Sequence, residues 1–93
     1  MIIGVVSATI AIPAALSLKD KRSVLRSLKD RAVAKMNVSV AEVGSQDNWK
    51  MADLAFVTVA AESETVQKRI SEINDYLHSD PRYHLVTLHT EML

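Results

Sequence analysis

An α+β fold of order β-α-β-β-α-β, with four antiparallel strands and two helices on one face, is predicted for this 93-residue chain. Three observations lead there. A β-branched-rich run opens the chain over 2–12. Two stretches, 17–37 and 63–78, repeat apolar residues every three or four positions. The remaining apolar segments alternate with period two or are too short for a helix.

The first strand, 2–12, is apolar at every even position from Val6 to Ile12, and its odd positions add Ile3 and Val5 before Ser7 and Thr9. Apolar residues on both faces at one end predict a central strand, and Pro13 ends it. The first helix starts at Ser17. Ser17 and Asp20 have the spacing of a capping box, with the hydroxyl taking one free N–H and the carboxylate reaching back. Val24, Leu25, Leu28, Ala32 and Met36 then share a face, and Asn37 suits the C-terminal cap.

Residues 37–43 alternate as a second strand, and Gly44-Ser45-Gln46-Asp47-Asn48 is a turn. The third strand, about 52–61, sends Leu54 and Phe56 to one face and Ala55, Val57 and Val59 to the other, and is also central. The second helix, about 63–78, carries the stripe Val66, Ile70, Ile73, Leu77 and stops at Ser79-Asp80-Pro81. A last strand runs from Tyr83 to Met92. The whole, 1–93, reads as a single ferredoxin-like domain.

Composition narrows the function classes. Without cysteine there is no disulfide, thiolate metal site or cysteine nucleophile. The apolar start lacks a charged leader and is too short to span a bilayer, so a cytoplasmic protein with no membrane partner is expected. Net charge is zero, yet residues 1–35 hold seven cations against two carboxylates and residues 36–93 hold four against nine. Such a dipole can offer a basic face to an anionic partner.

The cations concentrate on the first helix. Lys19, Arg22, Arg26 and Lys29 fall within about 80° on a helical wheel. Lys19, Lys21 and Arg22 crowd the first turn, where the helix dipole disfavours cations by about 0.3–1 kcal/mol each. A phosphate would reverse that cost, because the free N–H groups at a helix start already attract anions. Ser17, Lys19, Lys21, Arg22, Arg26 and Lys29 are therefore the candidate anion- or RNA-binding residues; an ordinary solvated helix face is the alternative.

Trp49, the only tryptophan, joins them as a stacking or anchoring residue, against the alternative that it folds over the sheet edge and seals the hairpin. No catalytic constellation, metal site or cofactor is expected. His84 and His89 are five apart and would point to opposite faces of a regular strand. The two glycines build no phosphate loop, and no nucleophile stands beside a base. The loop Pro13-Ala14-Ala15-Leu16 lacks the arginine an acylphosphatase needs. The central strands offer only Phe56 where an RNA-recognition-motif domain needs stacking aromatics. The sheet face away from the helices carries Ile3 and Val5 beside either Leu54 and Phe56 or Val57 and Val59, an apolar patch that invites a partner or a second copy.

Two segments, Ser17-Leu18-Lys19-Asp20-Lys21-Arg22-Ser23-Val24-Leu25 and Ser39-Val40-Ala41-Glu42-Val43 followed by Asp47-Asn48-Trp49, resemble the YlxP-like bacterial family of small proteins without assigned activity. The likeness extends over nearly the whole length, with Met36 where relatives often place phenylalanine. It implies a ferredoxin-like fold and no catalytic residues to carry over. The family's gene neighbourhood, near translation factors, implies ribosomal RNA or a ribonucleoprotein as partner. The resulting expectation is a non-enzymatic binding module working through the basic helix. The alternative is a self-associating or protein-interaction module working through the open sheet face.

Overall fold

The computed structural model describes Met1–Leu93 and contains β1 (Ile2–Ala11), α1 (Leu18–Lys35), β2 (Ser39–Gly44), β3 (Met51–Ala60), α2 (Ser63–Leu77) and β4 (His84–Met92). The strands form one antiparallel sheet in the order β2-β3-β1-β4. This is the ferredoxin-like arrangement, with the two doubly apolar strands in the middle.

Alternation along β1 and β3 decides what is buried. Val6, Ala8, Ile10 and Ile12, with Ala52, Leu54, Phe56 and Thr58, lie under the helices. Leu25, Leu28, Ala32 and Met36 from the first helical segment join Ile73, Tyr76 and Leu77 of α2 in one cluster over that face, and Val66 of α2 is buried above Gly4. Full burial of the valine, leucine, isoleucine, methionine and phenylalanine side chains among them stabilises the fold by about 1.5–3 kcal/mol each. The open-face choice resolves in favour of Val57 and Val59: Ile3 pairs with Val59 and Val5 with Val57. Gly4 makes the helix layer possible, since a Cβ there would lie 2.5 Å from Val66 Cγ1.

Four expectations are corrected. The capping box is shifted: Asp20 N–H donates to Ser17 Oγ (3.1 Å), but the Asp20 carboxylate accepts from Leu16 N–H (3.0 Å), one residue before the cap. The helix is capped at Met36, whose N–H donates to Ala32 O, and not at Asn37. Asn37 lacks the left-handed backbone of a C-terminal cap, and its carbonyl accepts from Thr58 Oγ1 (2.8 Å).

His84 and His89 are not on opposite faces. A bulge leaves Val86 unpaired, so His84 opposes Ala11 and His89 opposes Ser7, both on the open face. One inserted residue inverts the alternation. The fourth correction, at Lys21, belongs to the site.

Candidate functional site

α1 carries a stripe that the apolar residues alone do not complete. Leu25, Leu28 and Ala32 continue backwards, at helical spacing, to Lys21. Lys21 therefore points into the protein and is only 1% exposed. Its Nζ donates to Ser45 O (2.8 Å) and Asn48 O (2.7 Å) and lies 2.7 Å from Glu42 Oε2. One ammonium thus ties the helix start to β2 and to the β2–β3 turn. A buried ammonium is tolerable only when its donors and charge are met, and here the two carbonyls and the carboxylate meet them. Lys21 is removed from the set of residues that can touch a ligand phosphate, because it is buried, two carbonyls accept from its ammonium and Glu42 pairs its charge.

The turn that Lys21 holds is built for it. Ser45 adopts a left-handed backbone (φ 58°), which aims its carbonyl at the ammonium, and its hydroxyl donates to Asp53 Oδ2 (2.8 Å). Asp53 also accepts from Thr9 Oγ1 (2.7 Å), and these two hydroxyls hold its carboxyl below the usual aspartate range. A Cβ on Gly44 would come within 2.7 Å of the same carboxylate, so glycine leaves room for it. Asn48 Oδ1 accepts from Lys50 N–H (2.9 Å), Lys50 O accepts from Ile12 N–H (2.7 Å), and Lys50 Nζ donates to Pro13 O (2.7 Å). Trp49 thus sits on a backbone pinned on both sides while the residue itself remains 49% exposed.

With Lys21 and the cap residue Ser17 engaged in structure, four of the expected cations remain. Lys19, Arg22, Arg26 and Lys29 are exposed, and none forms an ion pair. Arg22, Arg26 and Lys29 line one open groove of about 240 Å³ with Leu25, Asp30 and Glu42. Arg22 also borders a second depression with Leu18, Lys21, Glu42, Gln46 and Asp47. The Glu42 carboxylate shared by both grooves is already committed to Lys21.

A second ionic cluster sits where β4 begins. Asp80 accepts from Arg82 at 2.6 Å and from Arg31 of α1 at 2.6 Å, and those guanidiniums hold its carboxyl far below the usual range. Tyr76 Oη donates to Leu28 O (2.7 Å), whereas the buried Tyr83 hydroxyl has no partner, and burial pushes its pKa up to about 12. Nothing in the spacing of Arg31, Asp80 and Arg82 announces this cluster, since Arg31 and Asp80 are brought together only by packing. No three histidine, aspartate or glutamate side chains converge as a metal site, and no helix is long and apolar enough to cross a membrane.

The family model described as "Protein of unknown function (DUF503)" matches residues 3–90. The chain belongs to that family. It is similar to the uncharacterized protein YlxP of Bacillus subtilis (strain 168), with 31% identity over 75 residues, covering 81% of this chain and 82% of the relative. The two segments that carry the family resemblance contain Lys21, Glu42 and Asn48, the partners of the buried clasp.

Proposed function

We propose that the protein is a non-enzymatic binding module that engages RNA or a ribonucleoprotein through the outer face of α1. The observation that carries this reading is the sorting of cations along one helix. Lys21 and Arg31 are held by carboxylates, while Arg22, Arg26 and Lys29 line an open groove with no ion-pair partner and Lys19 adjoins them. Unpaired cations side by side repel one another, and a polyanion relieves that repulsion by displacing its own counterions. The exposed Trp49, on its pinned loop, supplies a stacking or anchoring contact.

Binding through phosphates has a salt signature. The logarithm of the association constant falls with the logarithm of salt concentration by about 0.7–0.9 per phosphate neutralised. Reversing Arg22 and Arg26 to glutamate is expected to abolish co-sedimentation with ribosomal particles at low salt and leave the far-ultraviolet spectrum unchanged. Normal co-sedimentation of the folded double variant would end this proposal. A pull-down from lysate at low and high salt, with bound RNA and protein identified, names the partner.

A second reading, a protein-interaction module, is supported by the open sheet face, where Ile3–Val59 and Val5–Val57 form adjacent apolar cross-strand pairs. Val57→Asp tests it, because the substitution places a charge in the patch while leaving α1 untouched.

A further inference from the structure

The two edges of the sheet end very differently, and β4 is the unusual one. Apart from the half-buried Leu85 it is exposed along its whole length, on both faces. α1 packs against β2 and α2 mainly against β1 and β3, so the helix layer covers only the start of β4, at Leu85. Val86, Leu88 and Met92 are left 52%, 37% and 38% exposed. Beyond the bulge at Val86, residues 87–92 pair regularly with β1 and contain no lysine or proline, the residues that usually blunt a free edge.

The ladder shows which backbone groups are free. Ile3 and Leu93 exchange both backbone hydrogen bonds (3.0 and 2.8 Å), so the alternate residues 91, 89 and 87 face β1 in the same way. The N–H and C=O groups of Leu88, Thr90 and Met92 therefore point outward, away from the sheet.

We propose that this edge is where two copies of the chain join, antiparallel about Thr90, into one continuous sheet. The choice of a second copy rests on the strand's complementarity to itself. With the two-fold axis at Thr90, Thr90 meets its own image and Leu88 meets Met92, and about six backbone hydrogen bonds form from the outward groups. On the open face His89 then meets Glu91 of the other copy twice, in the closely spaced pairs, where an imidazole N–H can donate to a carboxylate. Within one chain His89 Nε2 lies 3.8 Å from Glu91 Oε1. Moving the axis to His89 opposes the two histidines and sets Leu88 against Thr90; moving it to Glu91 opposes two carboxylates. The Thr90 register alone satisfies the apolar and the imidazole–carboxylate pairs together. It also leaves both copies of α1 free, since α1 lies at the far edge against β2.

Sedimentation equilibrium over a range of concentrations tests the proposal. The wild type is expected to show twice the 10.3 kDa chain mass. Thr90→Pro should return it to the monomer mass while leaving it folded, because the N–H it removes faces outward and takes no part in the β1 ladder. Its melting temperature should no longer rise with protein concentration, as that of a dimer does. Glu91→Lys should also weaken the dimer, and adding His89→Glu to Glu91→Lys should restore it by re-forming opposite-charge pairs across the axis. Circular dichroism confirms that each variant is folded. A wild type that stays monomeric up to about 1 mM overturns the proposal. So does a dimer that survives both Thr90→Pro and Glu91→Lys, or one that dissociates only on Val57→Asp. None of these outcomes alters the co-sedimentation result expected for the Arg22 and Arg26 variant.

Discussion

β2 and β4 form the two edges of one sheet, and they differ in length and in what packs against them. β2 is six residues long, its pairing is interrupted between Glu42 and Gly44, and α1 lies against it with a buried lysine bridging the two. β4 is nine residues long, reaches past the helices and presents apolar side chains beside unpaired amides. Both edges carry an irregularity, but β2 is short and clasped to α1, whereas β4 continues for six regular residues beyond its bulge. A longer regular edge more readily pairs with another strand. The comparison teaches where each kind of contact resides. At β2 the fold pairs its own charges, Lys21 with Glu42, and leaves the cations on the outer face of α1 without an ion-pair partner. The β4 edge is left open along its backbone.

The largest expected effect attacks the closed edge. Lys21→Met keeps the methylene packing but removes the ammonium, leaving Glu42 and the Ser45 and Asn48 carbonyls without their donor. Unfolding by denaturant should show a loss of about 3–5 kcal/mol, as for other broken buried pairs. Hydrogen exchange should quicken first at residues 45–49. A neutral result would mean that β2 is not held by the clasp, and the contrast between the edges would collapse.

An intermediate effect is expected at Asp80, which links Arg31 of α1 to Arg82 at the start of β4. Because both arginines are substantially exposed, solvent screening reduces the value of the pair, and Asp80→Asn should cost about 1–2 kcal/mol at neutral pH. The sign with pH follows from the depressed carboxyl pKa. The stabilisation is complete above the unfolded aspartate value of about 3.9 and is lost as pH falls through the lower folded value. Stability measured from pH 6 downward should therefore fall more steeply below about pH 4 in the wild type than in Asp80→Asn. Parallel curves would remove the ionic link as the cause.

The smallest effect is expected on the open edge. Val86 is exposed within the bulge, and Val86→Lys should change stability by no more than about 0.5 kcal/mol. A loss comparable to that at Lys21 would show that β4 is covered after all.

Much of the fold was legible because its determinants are local. Alternation in β1 and β3, helical spacing in α1 and α2, and the breakers at Pro13, Gly44 and Pro81 placed every element to within about two residues. The candidate site was legible only in part. Lys19, Arg22, Arg26 and Lys29 do lie exposed on α1, and Trp49 is half exposed. Lys21 is buried rather than on the exposed face, and the sequence carries the signal for it, since it extends the Leu25, Leu28 and Ala32 stripe by one turn. Its positive charge suggests solvent, but its helical position directs it inward, and in the fold the position prevails. The histidines were misplaced for a different reason: a bulge is a property of two paired strands, and nothing within β4 alone announces it.

By itself, then, the amino-acid sequence determined the order of elements, the central pair of strands and the helix that bears the charge, because each follows from side-chain periodicity over a few neighbouring residues. Only the tertiary structure decided which lysine is buried, which carboxylates are engaged and which edge is bare. Those outcomes depend on groups far apart in the chain, such as Lys21 with Asn48 and Arg31 with Asp80, and their energies exist only once packing has brought them within a few ångströms.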